Sequence, residues 1–310
     1  MIFLALAIIC GSLFAVVFKI CQIRNINTNQ VILFNYVTAI LANCIPIIVS
    51  IGKGESQWSD YSLPTISYPL AILQGVLFTS GFIIMDHSTW RSGVALTTAA
   101  ARTSLILSVT LSWMFLSQPA PSWLPVILVL ISILLIIIPN KQQSHDSSLL
   151  RSSSDAVRKR KAALCLLGVF LFYGLSDFAL KLSQQSTTLG SGAEQLAEYR
   201  LTSLTAIIFI MAGLVAFIIC LVTKSFRQAP LNWKSILGGV ILGTINLACT
   251  SCTVRGLSLL PTGLYYPLYN IGIVIIATII GIVFFKEKIK WLQILGLLIA
   301  VAAISLFLNA

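Results

Sequence analysis

The chain has 310 residues, 57% of them hydrophobic and 9% charged, with a mean hydropathy of +0.96 and a formal net charge of +11. A soluble domain carries about 25% charged residues, so this composition excludes a water-soluble fold. The basic excess is expected on loops that face anionic lipid, not on a surface for nucleic acid.

A helix needs about 20 apolar residues to cross a hydrocarbon core roughly 30 Å thick. Ten segments are read as spans: 2–20, 31–51, 69–86, 94–117, 123–139, 162–182, 199–222, 235–254, 259–285 and 291–308. The first lacks a basic leader and a small-residue cleavage site, so it reads as a membrane helix. Residues 140–161, "NKQQSHDSSLLRSSSDAVRKRK", are polar, Ser-rich and basic, a composition that cannot bury a core. They are expected to link two five-helix units, residues 1–139 and 162–310.

The two units share short matches in the same order. "ILQGV" (72–76) parallels "ILGGV" (236–240), and the same offset of 164 pairs Arg91 with Arg255. "FKICQ" (18–22) parallels "LKLSQ" (180–184), "NY" (35–36) parallels "EY" (198–199), and "SWL" (122–124) parallels "KWL" (290–292). An odd number of helices per unit inserts the second copy upside down, and inverted repeats are common in secondary transporters. The expected fold is therefore all-α and integral to the membrane, with ten helices in two inverted repeats around a central cavity. Loops after odd-numbered spans hold fourteen Lys and Arg, whereas loops after even-numbered spans hold Lys53 and Arg255. The positive-inside rule then puts the linker in the cytoplasm and both termini outside.

Polar groups at membrane depth mark candidate sites, because they are costly in lipid unless they face water or a partner. Asn35 and Tyr36 open the second span. Asp86 and His87 close the third, where His87 reads as a loop residue. Arg102 lies eight residues into the fourth span, among small residues that permit close helix approach. Its guanidinium suits bidentate capture of a carboxylate or phosphate, or a structural ion pair with Glu198, Asp177 or Asp86. In the sixth span Asp177 and Lys181 are four apart on one face. Asp177 is a candidate proton carrier; Lys181, like Lys19, is expected to reach for the headgroups. Glu198, Tyr199 and Arg200 open the seventh span, with Glu198 as a second proton-carrier candidate and Arg200 beside it. In the ninth, Tyr265, Tyr266, Tyr269 and Asn270 fall within about 140° of arc, which predicts a polar face on the cavity. Pro267 is expected to kink that helix. Packing of the tyrosines against neighbouring helices is the alternative.

Seven cysteines lie within or beside apolar runs, and the Cys249/Cys252 spacing has no second pair, so no metal or cofactor is expected. His145 lies in the linker, and Gly239 with Gly243 reads as a helix-packing motif. No GxSxG, HExxH or P-loop occurs, so the chain is not expected to be an enzyme.

The stretch 257–308 resembles the closing two helices of drug/metabolite transporters of the EamA-like group. The resemblance rests on a mid-span Pro267, Glu287 in a short basic turn, Trp291, and Gly296 early in the last helix. The first unit has no Glu in "MFLSQPAPSWL" (114–124), and Thr103 stands where the second has Pro267. The resemblance implies an alternating-access exporter of small metabolites in a bacterial inner membrane. Together with the polar residues, it leads to the expected function: secondary transport of an amino acid or a similar anionic, zwitterionic or aromatic solute, with coupling to protons. The expected partners are that metabolite, the lipid bilayer and protons, with monomer and homodimer both open. A flippase for a lipid- or nucleotide-linked sugar is the alternative within transport. A non-transporting sensor or assembly subunit is the alternative outside it.

Overall fold

A computed structural model describes residues 1–24, 26–92, 94–137, 154–189, 194–223, 232–285 and 291–309. Apart from one 3-10 turn, Trp58–Tyr61, the elements within them are α-helices. They are α1 (Ile2–Ile23), α2 (Thr28–Gly52), α3 (Ser67–Ser92), α4 (Val94–Thr103), α5 (Leu105–Phe115), α6 (Trp123–Ile137), α7 (Ser154–Thr188), α8 (Glu194–Val222), α9 (Trp233–Leu259), α10 (Thr262–Phe285) and α11 (Trp291–Asn309). Among the described residues, six stretches are long and apolar enough to cross a bilayer: Thr28–Gly52, Ser67–Met85, Lys161–Thr188, Glu194–Val222, Trp233–Leu259 and Thr262–Ile280. The protein is therefore all-helical and of the kind that sits in a membrane. Residues 140–153 of the expected linker lie outside the described residues, and 154–161 already belong to α7.

Helices prevail because lipid offers no partner to a free backbone group. Polar side chains follow the same rule. Ser12, Ser183, Thr202, Thr244, Ser258, Thr278 and Ser305 each donate a hydroxyl to the carbonyl four residues back. Where α2 and α9 begin, Asn27 and Asn232 cap the exposed N–H groups with their Oδ1 atoms. The outer faces are apolar: Leu41, Ile45, Ile48, Leu214, Ile218 and Leu298 are all more than half exposed, which suits contact with acyl chains rather than water.

The fourth expected span is not one helix. It breaks at Ser104, where the Thr103 and Ser104 hydroxyls donate to Ala100 O (3.3 Å) and Ala101 O (2.7 Å) and compete with the backbone ladder. Pro267, by contrast, lies inside α10, which runs unbroken through it.

In the packing, α1 lies on α9 and α10, and α7 lies on α3, α4 and α5. Helix α2 lies on α9, and α3 on α8; α2 meets α8, and α6 meets α11. Glycines allow the closest approaches. A Cβ on Gly75 would lie 2.6 Å from Ile208 O of α8, and one on Gly239 would overlap Phe34 Cβ of α2. Gly239→Val is therefore expected to cost about 1–3 kcal/mol, the usual penalty of overpacking, and to lower the melting temperature in detergent. Gly52→Ala, with nothing within 4 Å of the added methyl, should leave it unchanged.

Candidate functional site

Arg102 lies in the last turn of α4, Asn270 eight residues into α10, and Asp177 eleven residues before the end of α7. At 1.5 Å per residue Arg102 and Asn270 lie roughly 12 Å from the starts of their helices, and Asp177 roughly 16 Å from the end of its own. The guanidinium Nη1 donates to Asn270 Oδ1 at 3.3 Å. Asn270 is oriented in turn by its Nδ2, which donates to Tyr266 O at 3.0 Å. Tyr266 donates its hydroxyl to the main-chain carbonyl of Asp177, tying α10 to α7. Arg102 lies within electrostatic reach of Asp177, Tyr173, Tyr269 and Cys249.

The break at Ser104 explains how a half-buried Arg102 is tolerated here. It creates a helix C-terminus at Arg102, where the partial negative charge of the carbonyl ends favours a cation. Asp177 adds a longer-range attraction, but no ion pair joins the two within 4.0 Å. Arg102, Tyr173, Asp177 and Tyr269 are half-buried.

Not every member of the expected polar stripe keeps accessible surface. Tyr265 and Tyr266 have no exposed surface and belong to the apolar core. Tyr265 packs its ring against Gly256 of α9, edge-on to Tyr266 and stacked with Tyr269 at 5.7 Å. Only Tyr269 of the three reaches the accessible region, where its hydroxyl lies 3.4 Å from Cys249 Sγ. The Cys249 thiol is directed at Ala7 O of α1, which makes Tyr269 the donor to sulfur. Asn35 and Tyr36 form a separate buried layer. Asn35 Oδ1 accepts from Asn246 Nδ2 at 3.1 Å, and Tyr36 sits beside Thr79 with its ring 6.4 Å from Phe209.

Two charged residues differ from expectation. Lys181 does not reach for headgroups, nor does it pair with Asp177; it is 6% exposed and donates to Leu257 O (2.5 Å) and Gln184 Oε1 (3.0 Å). The reason lies four residues beyond Leu257, where a helix would supply an N–H but Pro261 has none. Lys181 fills that vacancy and places its charge at the carbonyl end of α9. Glu198 pairs with Arg255 rather than Arg102: both carboxylate oxygens accept from Nε (3.2 and 2.8 Å), and Oε2 lies 2.6 Å from Nη2. Arg200 is half-buried two residues further along α8. The side chains of Lys19, Asp86, His87 and Arg91, and all of Glu287, lie outside the described residues.

The sequence reading did not single out Tyr173, Cys249, Gln184 or Arg255 as site or network residues. Tyr173 stands one turn before Asp177 on the same face of α7, and that spacing was the available signal.

No family profile matches this chain. An uncharacterized protein of Haemophilus influenzae is 28% identical over 304 residues, covering 97% of this chain and 95% of that one. A solved crystal structure matches with a TM-score of 0.66 and 11% identity over 98% of this chain and 94% of its own, a likeness of fold.

Lys181→Met should destabilise the protein by about 1–3 kcal/mol, because it leaves Leu257 O buried without a donor. Glu198→Gln, in a pair whose side chains are 45% and 24% exposed, should cost less, under about 1 kcal/mol. Thermal unfolding of the two variants in the same detergent checks the order.

Proposed function

We propose that this chain is a secondary active transporter that moves a small polar metabolite by alternating access. The observation that carries the reading is Arg102: a half-buried guanidinium within an apolar span, held by one neutral acceptor and matched by no contacting carboxylate among the described residues. An intramembrane cation serving structure alone would be expected to close on Asp177 or another acid.

The packing supports two inverted repeats. Exchanging α1 for α7, α2 for α8, α3 for α9, α4 and α5 for α10, and α6 for α11 turns each principal contact into another. Residue contacts follow the exchange as well. Gly75 meets residues 208, 211 and 212, while Gly239 meets 31 and 34, and Gly243 meets 35. The offset is 164 between α3 and α9 and 177 between α2 and α8. Thr79 Oγ1 donates to Ala212 O, and Gly243, at the 164 offset from Thr79, sits against Asn35 O, at the 177 offset from Ala212. On this relation Asn35 and Tyr36 correspond to Ala212 and Gly213, not to Glu198 and Tyr199 as the short sequence match suggested. Tyr36 and Gly213 touch each other, as equivalent residues do beside a two-fold axis.

Asp177 is the group best placed to carry a proton, since Glu198 is already committed to Arg255. The resemblance to EamA-like transporters favours export, and the distribution of basic loops favours a cytoplasmic linker with both termini outside, as in a bacterial inner membrane.

Proteoliposomes loaded with a metabolite panel test the reading. One or more solutes should exchange above protein-free vesicles, and Arg102→Ala should lower that flux at least tenfold with Arg102→Lys intermediate. A folded protein that moves nothing, or full flux in Arg102→Ala, overturns it. A reporter fused after Ala310 should report the side opposite the cytoplasm.

A further inference from the structure

Apart from the Asp177 carboxylate, the described side chains around Arg102 are richer in hydrogen-bond donors than in strong acceptors. A guanidinium has five N–H groups. One of them, on Nη1, meets Asn270 Oδ1, and no other bond of Arg102 occurs among the described residues. The two tyrosine hydroxyls near it are bound only to sulfur, the weakest acceptor in a protein. Tyr173 donates to Met85 Sδ at 3.0 Å, and Tyr269 to Cys249 Sγ at 3.4 Å. These three side chains come from α4, α7 and α10, each is half-buried, and both tyrosines lie within electrostatic reach of Arg102. The charge balance leans the same way. Lys181 adds a second cation one turn beyond Asp177, and Glu198 of α8 is bound to Arg255. Asp177 is then the one described carboxylate facing Arg102.

A solute that brings its own cation or amide donors would leave these donors unmet, and buried unmet donors are costly. A solute that brings strong acceptors would satisfy them. We infer that the central site recognises the oxyanion of its solute, a carboxylate, phosphonate or sulfonate group, with Arg102 and the Tyr173 and Tyr269 hydroxyls as its ligands. This rests on the transport reading for its physiological meaning but not for its test. Both hydroxyls exchange a sulfur partner for a charged oxygen, and no covalent step is involved. Asp177 lies on the side from which a second group of the solute, or a proton, offsets the anion.

The test uses five solutes on one skeleton: propionate, propylphosphonate, propanesulfonate, propionamide and propylammonium. Each is titrated against the full-length protein in detergent while its melting temperature is followed. At least one of the three oxyanions should raise it, and the amide and the amine should not. Tyr173→Phe and Tyr269→Phe, which remove one oxygen each, should weaken the oxyanion midpoint about tenfold, and Arg102→Gln more. Should Arg102→Gln fail to fold, the two Phe variants decide alone. An equal response to the amide or amine, no response to any oxyanion, or unchanged midpoints in both Phe variants overturns the inference. Flux of amine or amide alone in proteoliposomes sinks this inference and leaves transport standing. Oxyanion binding without flux does the opposite.

Discussion

Close approach of helix backbones is the constraint on which the rest of this structure depends. In lipid there is no hydrophobic drive to push one helix onto another, so contact must come from packing and a few polar bonds. Glycines provide the packing at the contacts that organise the bundle. Gly75 brings α3 onto α8, Gly239 and Gly243 bring α9 onto α2, Gly11 admits Ile273 and Tyr269 of α10 beside α1, and Gly174 admits Leu107 of α5 beside α7. Bulkier residues there would hold α10 and α7 away from the centre, and Asn270 would no longer reach Arg102.

Polar bonds finish what the glycines begin, and they gather at one end of α9. Its last turns are held by Lys181 and Gln184 of α7, by Glu198 of α8, and by the ring of Tyr265 lying on Gly256. Pro261 lies behind this arrangement, because it withholds the N–H that Leu257 O would otherwise accept. A buried lysine that looks misplaced in lipid is thus a replacement for one missing backbone donor. It fixes α7 against α9 close to Asp177.

Much of this was legible in the chain. Hydropathy marked an apolar run within each α-helix, because apolar length decides what can span, but the start of α7 at Ser154 falls in the stretch read as linker. Arg102, Asp177, Tyr269 and Asn270 stood out as polar groups where polarity is costly, and the structure brings them together. Other features could not be read. The break at Ser104 carries no proline or glycine; two hydroxyls competing for Ala100 O and Ala101 O produce it, and such competition depends on rotamers. The partner of Glu198 is 57 residues away, and Lys181 could be placed only once Leu257 was seen opposite it. Tyr173 was hidden because an aromatic in the run "FLFYGLSDF" looks like any lipid-facing ring.

The proposed repeat also explains why matching the two halves finds the scaffold more readily than the site. Gly11 and Gly174 perform the same task in α1 and α7, as Gly75 and Gly239 do in α3 and α9. The residues around them differ in chemistry. Asp177 stands three residues after Gly174, whereas Phe14, stacked on Phe82 at 6.5 Å, stands three after Gly11. Tyr173 precedes Gly174, and Cys10 precedes Gly11. Across from them, Arg102 occupies α4 where α10 offers the buried Tyr266. In the proposed transporter, duplication supplies two helix bundles that rock against each other about a shared centre, but a symmetric centre would hold either two charges or none. Two arginines would repel, and two aspartates would repel or share a proton. Loss of symmetry at these few positions yields one cation, one carboxylate and two hydroxyls within one symmetric framework. Such a centre can bind a single oriented solute while the helices around it still move as equivalent halves.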